Sequence, residues 1–502
     1  MIRNSEKNIL GTIIGCCFFL LYILIVISKF LTMFKLFPVY IAAIGTCLVI
    51  GCFILFKKTA LINHIKDHLR FFEYISYKKL FITIALVSLI TKILAVFVFQ
   101  INSIDNHPDI HTYVVTSSEL AELGYAKSFA NYCYSYSHMF WYAVFLFPIT
   151  KLFGISQTAY SVYLSLIMTG STLLLFDVVA KNYSKGKAFL ALFIYTILPS
   201  QILLPQFVTH EIGALLFLCI GLWVYFRAYS NTNNRCLRCI FVLLLAISVL
   251  FCSLLNAMGY IVFIAFSVVF LMESIKSKKY LCFLGKVLTL LGVIILGTII
   301  FDSIQANLSM ISDGFIKGNK VLWTLYVGSN YSSDGSWYND TAWNSYPDYY
   351  DAAMVNNYHK ELLSNRYVEL FSNPLNVINL IKAKLINIWG DFSYSIGLAN
   401  ETISDPKMQE IYNSYLYKPL WLINYCVLLL ISIFGLATLH FLNKSRENLL
   451  SGFFQLFLLG ETAMLLITEC NNKYTIAMVL IFIIVSIISC DLEENYTGKI
   501  KR

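Results

Sequence analysis

Long apolar runs alternate with short polar segments along almost the whole chain. Because an α-helix rises 1.5 Å per residue, roughly 20 apolar residues are enough to cross a bilayer core. Runs of that length predict an all-α polytopic membrane protein with about twelve transmembrane helices, in a range of about eleven to thirteen. The predicted spans are 9–30, 37–56, 80–100, 158–180, 187–204, 210–229, 239–256, 258–274, 281–303, 419–442, 448–468 and 474–490.

Basic residues between the apolar runs set the expected orientation. The segment 57–79 carries six Lys or Arg residues against Asp67 and Glu73, and such loops stay in the cytoplasm. The first run has no small-residue cleavage site after it, so we expect an uncleaved span rather than a signal peptide. Both termini are then cytoplasmic, and the segments 101–157 and 304–418 lie outside the cell membrane.

The segment 138–153 decides between two versions of this scheme. If it crossed the membrane, the later basic loops at 181–187, 227–238 and 276–279 would all lie outside. Its shortness, its aromatic residues and its internal proline and lysine favour a helix lying along the outer interface instead. An additional span is the alternative.

These boundaries divide the chain into four parts. They are two N-terminal spans with a basic loop (1–79), a transmembrane core containing the first outer loop (80–303), a large outer loop (304–418), and three C-terminal spans with a tail (419–502).

Composition narrows the class further. The 502 residues are 58% hydrophobic and 13% charged, whereas soluble chains carry about 25% charged residues, which excludes a soluble enzyme with a single anchor. The net charge of +9 does not indicate a nucleic-acid partner, because the basic residues lie in short clusters between apolar runs. Most of the thirteen cysteines fall inside those runs, without the spacing of a disulfide framework or a zinc site.

The first outer loop contains the leading candidate for catalysis, Asp109. Pro108 is suited to begin a helix and Gly124 to end it, which places Asp109 in the first turn, just beyond a span. Tyr113 follows four residues later on the same helix face, and Asp105 precedes Asp109 by four. A carboxylate there is able to act as a general base. The alternative is that Asp109 only caps its helix.

A second carboxylate, Glu211, begins a strongly apolar helix directly after His210. Ionisable residues at membrane depth are costly and are therefore functional candidates. The alternative is an exposed helix-start carboxylate at the interface.

Basic residues that could bind a phosphate occur in two places. Lys473 and Tyr474 lie between the last two spans, where Lys473 could instead pair with Glu469 four residues earlier. Lys384 lies in an amphipathic segment 374–389, where snorkelling toward lipid headgroups is the alternative.

The large outer loop is rich in aromatic residues, which suit stacking on sugar rings. We expect it to form short helices and loops packed over the site and to help select the acceptor, with Trp337 as a substrate contact; an aromatic belt at the interface is the alternative. The aromatic residues are Trp323, Trp337, Tyr338, Trp343, Tyr346, Tyr349 and Tyr350.

The order of these motifs resembles the GT-C superfold glycosyltransferases. A span is followed by a Pro108-Asp109-x-x-x-Tyr113 helix, an aromatic interfacial helix, a further span and a basic turn. Then come a span ending Leu-Pro-Ser, an outer-face Glu211 and, near the end, Glu469-x-x-x-Lys473-Tyr474. The match is best over 80–230. Relatives of this superfold include protein O-mannosyltransferases, the lipid A aminoarabinose transferase and Gram-positive surface-polysaccharide enzymes.

The resemblance implies a GT-C-like fold and a transferase with an extracytoplasmic active site, acting in cell-envelope glycan synthesis or decoration. Its partners would be a polyprenyl-phosphate sugar donor, a glycan, lipid or protein hydroxyl acceptor, and membrane lipid. Asp109 matches the catalytic carboxylate, with Asp105 as a rival, and Glu211 matches a second carboxylate. His210, Tyr113, Lys384, Lys473, Tyr474 and Trp337 are the expected substrate contacts. No cofactor is assigned, and assistance by a divalent cation is left open.

Two other functions remain alternatives. An envelope polysaccharide polymerase would also act on polyprenyl-linked glycans, but the large loop has only Arg366 where paired arginines would favour that function. A flippase for lipid-linked oligosaccharides would carry charged residues inside several spans and internal repeats, and the sequence has few of the former and no detectable repeat.

Overall fold

The computed structural model describes residues 9–36, 71–313, 315, 319–338, 352–390, 392–437 and 448–488. These residues are 86% helical and contain no β-strand. The first eleven helices are α1 (Ile9–Leu36), α2 (Tyr77–Phe99), α3 (Ser103–Asn106), α4 (Pro108–Glu122), α5 (Ala130–Ser135), α6 (Ser137–Phe153), α7 (Gln157–Asn182), α8 (Lys185–Ile197), α9 (Pro199–Leu203), α10 (His210–Trp223) and α11 (Arg235–Leu255). The other ten are α12 (Met258–Ser277), α13 (Tyr280–Asn307), α14 (Lys320–Gly328), α15 (Ala352–Ser372), α16 (Pro374–Trp389), α17 (Tyr394–Thr402), α18 (Pro406–Ile411), α19 (Tyr417–Ala437), α20 (Leu449–Ile467) and α21 (Ile476–Ile488).

Nine helices in the described ranges are long and apolar enough to cross a membrane, or ten if one bent pair counts as a single span. The architecture is therefore that of an all-α, multi-pass membrane protein. Helix α6, which covers the segment 138–153, is not among these nine. The predicted span 37–56, most of the basic loop that follows it and the C-terminal tail lie outside the described residues.

The predicted span 187–204 is not one continuous helix. Helix α8 ends at Ile197, and the helical segment Pro199–Gln206 turns away from it by 67°. Pro199 causes the break, because proline has no N–H to donate and its ring disfavours a helical conformation in the residue before it. Accordingly, Leu198 is extended, with φ −62° and ψ 130°.

The structure also moves one boundary near the C-terminus. The predicted span 419–442 belongs to a helical run that begins at Pro406 and reaches Leu436 through a π-turn. The first part of this run, 406–418, falls in the predicted outer loop 304–418. The rest of that loop is mostly helical where the structure describes it. The described part of the last predicted span, 474–490, consists of the end of a 3₁₀ turn (Asn472–Thr475) and helix α21.

Helix α21 lies in the centre of the bundle. All thirteen of its residues are buried, and it packs against α8, α10, α19 and α20. Around it, α10 packs against α7 and α11, while α4 packs along α6, which also contacts α10. This packing brings the beginnings of α4, α6 and α10 next to the turn that precedes α21.

Candidate functional site

Asp109 and Lys473 form an ion pair at the centre of the site. Lys473 Nζ donates to Asp109 Oδ2 over 3.3 Å, and the two side chains are 15% and 28% exposed, respectively. Asp109 lies in the first turn of α4, where the helix dipole favours a negative charge. It is not the capping residue, because the N-cap position is His107. The arrangement is a half-open carboxylate held against an ammonium group.

Glu211, His210 and Tyr113 form the buried side of the same site. The Tyr113 hydroxyl lies 3.0 Å from His210 Nδ1, and His210 Nε2 lies 3.4 Å from Glu211 Oε1. These contacts fit an imidazole that accepts from Tyr113 and presents its Nε2–H toward Glu211. Burial raises the pKa of Tyr113 well above its usual value, so this tyrosine is a neutral hydrogen-bond donor.

Lys320 and His138 extend the site into the second predicted loop. Lys320, the first residue of α14, places its Nζ 2.8 Å from His138 Nδ1. Burial holds the pKa of His138 well below its usual value and lowers the pKa of Lys320 to about 8. A neutral imidazole therefore accepts a hydrogen bond from the lysine. The His138 ring lies 4.7 Å from the His210 ring, which connects Lys320 to the Glu211 side of the site.

Three further residues surround the ion pair. The Tyr474 ring lies 5.4 Å from Lys473 Nζ, and Tyr394 at the start of α17 is close enough to interact with the charges of Asp109 and Lys473. Glu469, just after α20, is close enough to interact with the charge of Lys473, which favours the ionised carboxylate. Burial has the larger effect and raises the pKa of Glu469. The residue within ion-pair distance of Lys473 is Asp109, so the alternative in which Lys473 pairs with Glu469 is not the pairing that forms.

The site lies where several helices begin. Asp109, His138, Glu211 and Lys320 each occupy the first turn of a different helix, α4, α6, α10 and α14 respectively. Helix N-termini carry a partial positive charge and free N–H groups, so they favour anions. Together with Lys473 and Lys320, these termini give the site a positive environment around its carboxylates.

The contacts described for three predicted site residues are with groups other than the Asp109–Lys473 pair. Asp105 is exposed and accepts from Asn102 over 2.7 Å, while Trp337 is 63% exposed. Lys384 is buried and does not snorkel: its Nζ donates to the carbonyls of Leu465, Leu466 and Thr468 over 2.7–3.3 Å. These carbonyls lie at the end of α20, where the helix itself provides no donors. Lys384 therefore acts as a cationic cap of the helix C-terminus.

The sequence analysis did not single out Lys320, His138 or His107. His107 lies beside the charges of Asp109, Lys473 and Glu211, and burial lowers the pKa of its imidazole. Its position directly before Pro108 was a usable signal, because the residue before a helix-starting proline often faces the helix terminus. Lys320 had no comparable signal, since no motif surrounds it.

Within the described residues, no group of three or more His, Cys, Asp or Glu side chains is arranged to hold a metal ion. The chain matches no protein-family model, no curated protein and no solved structure. The function of the site is therefore inferred from its geometry alone.

Proposed function

We propose that this protein is a membrane glycosyltransferase that moves a sugar from a polyprenyl-phosphate donor to a hydroxyl acceptor at the extracytoplasmic face. The observation that carries the proposal is the Asp109–Lys473 pair. A carboxylate and an ammonium group 3.3 Å apart, at the meeting point of several helix N-termini, supply both a base for a hydroxyl and a cation for a phosphate.

The reaction needs little more than these groups. The acceptor oxygen attacks the anomeric carbon of the sugar, and the bond from that carbon to the phosphate oxygen breaks. The acceptor proton goes to Asp109. The phosphate leaves as a monoester bearing one more negative charge than the diester donor, and Lys473 and Lys320 stabilise that added charge. The protein therefore contributes positioning, proton removal and electrostatic stabilisation.

Charged residues that are buried within candidate spans bear on the flippase alternative. In the described ranges they are Lys29, Lys92, Glu211, Lys286 and Glu461. Lys92 donates to the hydroxyl and carbonyl oxygens of Ser88 on its own helix, over 2.9 and 3.3 Å. Lys29 donates to the Gly390 carbonyl over 3.3 Å, and Lys286 pairs with Glu273 over 2.5 Å. Contacts within the protein therefore account for the buried lysines without a transported ligand, so transport is the less favoured function.

The deciding experiment is mass spectrometry of cell-envelope glycans from a deletion strain of the source organism. A lost or truncated glycan that wild-type protein and Asp105→Asn restore, and that Asp109→Asn does not, supports the proposal. If Asp109→Asn, Asp105→Asn and Glu211→Gln all restore the glycan profile, the glycosyltransferase function is rejected.

A further inference from the structure

Glu211 stands among buried polar atoms that lack hydrogen bonds. Among the described residues, neither carboxylate oxygen of Glu211 accepts a well-formed hydrogen bond, although the Thr209 side chain lies beside them and His210 Nε2 is 3.4 Å from Oε1. The Tyr142 hydroxyl and His107 Nδ1 also lack hydrogen-bond partners. Glu211, Thr209 and Tyr142 are at most 4% exposed. Tyr142 and His107 are both close enough to feel the charge of Glu211.

Such a concentration of unsatisfied atoms is unusual. A buried polar group without a partner destabilises the folded state, and more so when it carries a charge. Native proteins therefore satisfy nearly all such groups with protein atoms, ordered water or a ligand. Here they surround one carboxylate next to the Asp109–Lys473 pair, which points to a ligand bound beside Glu211.

The chemistry of these atoms restricts the ligand. A carboxylate only accepts hydrogen bonds, so its partner must donate. A phosphate oxygen cannot donate when ionised, and the two negative charges would repel. Hydroxyl groups donate to Glu211 and also accept from the Tyr142 hydroxyl, so a polyhydroxylated group fits where a phosphate does not.

We propose that Glu211, with Tyr142, Thr209 and His107, forms the subsite for the hydroxyl groups of the donor sugar, and that the donor phosphate lies against Lys473 and Lys320. This inference rests on the proposed function. It makes Glu211 a residue that positions and selects the sugar, because its carboxylate is more deeply buried than that of Asp109 and accepts hydrogen bonds from hydroxyl groups. Asp109, which is partly exposed, remains the base.

The test measures binding to protein in lipid nanodiscs. The probes are neryl phosphodiesters of mannose, glucose, galactose, N-acetylglucosamine and arabinose, with neryl methyl phosphate as a sugar-free diester of equal charge. At least one sugar diester is expected to bind about 10- to 100-fold more tightly than the methyl diester, which is the range for hydrogen bonds to a charged group. Glu211→Gln and Tyr142→Phe are expected to remove most of that gain while leaving methyl diester binding intact.

Glu461→Gln is the matched control, since Glu461 is also a buried carboxylate in a span with an unpaired oxygen. It is expected to keep the full gain. The subsite is rejected if no sugar diester binds better than the methyl diester, or if the gain survives in Glu211→Gln. If wild-type protein binds none of the diesters, the proposed function fails and the subsite fails with it. Retained methyl diester binding shows that a variant is folded.

Discussion

Lys473 Nζ lies 3.3 Å from Asp109 Oδ2 although 364 residues separate the two in the chain. One belongs to the start of α4 and the other to the turn that precedes α21. A pair built from such distant segments is set by the packing of the whole bundle.

Replacing Asp109 by Asn is expected to lower the rate of sugar transfer by about 10²- to 10⁴-fold, the usual contribution of a general base. The side chain keeps its shape, so the folded state and donor binding are expected to persist. The measurement is transfer in liposomes from the neryl phosphodiester that binds most tightly. Asp105→Asn is the control, and an inactive Asp105→Asn beside an active Asp109→Asn would transfer the role of base to Asp105.

Replacing Lys473 by Ala is expected to weaken binding of neryl methyl phosphate by about 10- to 100-fold, because a charge-assisted hydrogen bond to the phosphate is lost. Lys473→Arg keeps the charge and is expected to retain most of the affinity. The alanine variant also leaves Asp109 without its partner. We therefore expect the double variant Lys473→Ala/Asp109→Asn to bind weakly as well. Wild-type affinity in the double variant would assign the loss to repulsion by Asp109 instead.

Donor binding is expected to depend on pH through Lys320. Since burial lowers the pKa of Lys320 to about 8, this side chain is charged below that pH and loses its proton as the pH rises through it. Affinity for neryl methyl phosphate, which does not titrate in this range, is expected to fall between about pH 7 and about pH 10. Bound phosphate shifts the midpoint upward, because it favours the charged lysine.

The groups around Lys320 and two substitutions at this position identify the group that causes the pH dependence. His138 is neutral across that range because its pKa is well below the usual value, and Glu469, Lys473 and Glu211 also face Lys320. Lys320→Arg is expected to bind with constant affinity throughout, and Lys320→Met with constant but weaker affinity. A pH dependence that persists in Lys320→Met would place its origin in another group.

Replacing Lys384 by Met is expected to lower stability and leave donor binding unchanged. The substitution removes the donor to three carbonyls at the end of α20, and leaving such buried acceptors unsatisfied costs about 1–3 kcal/mol. Thermal unfolding in detergent measures the change, with exposed Lys382→Met as the control. Unaltered stability with weakened donor binding would restore Lys384 as a substrate contact.

The orientation in the membrane is open to direct measurement. Ser184 lies in the basic turn between α7 and α8, which we expect to be cytoplasmic. After exposed native cysteines such as Cys236 and Cys282 are replaced, Ser184→Cys is expected to resist an impermeant thiol reagent in intact cells and to react after lysis. Labelling in intact cells would reverse the orientation.

The sequence was a good guide to elements whose signal is local. Apolar runs locate most of the spanning helices, and Pro108 locates the start of α4, because both depend on neighbouring residues. The position of Asp109 in the first turn of α4 was predicted in this way. Pro199 was an available signal for the break after α8, but the apolar character of the flanking residues outweighed it in the prediction of a single span.

Tertiary packing decided what the sequence could not reveal. Lys384 has the periodicity of a lysine on an amphipathic helix, yet the approach of α20 buries it. Lys320 lies in a segment with no motif, and only the proximity of His138 identifies it as a member of the site. The partner of Lys473 was likewise hidden, since Glu469 is four residues away and Asp109 is 364.

The enclosed position of α21 has a consequence for biosynthesis. A membrane protein is made from its N-terminus onward, so α21 is the last of the described helices to leave the ribosome, although it occupies the middle of the bundle. Helices α8 and α10 therefore cannot reach their final packing when they are first inserted. The bundle has to remain open until residue 488 is made, and the faces of α8 and α10 that later pack against α21 lack that partner during the interval. A chain stopped before α21 would lose the helix at its centre as well as its C-terminal segment.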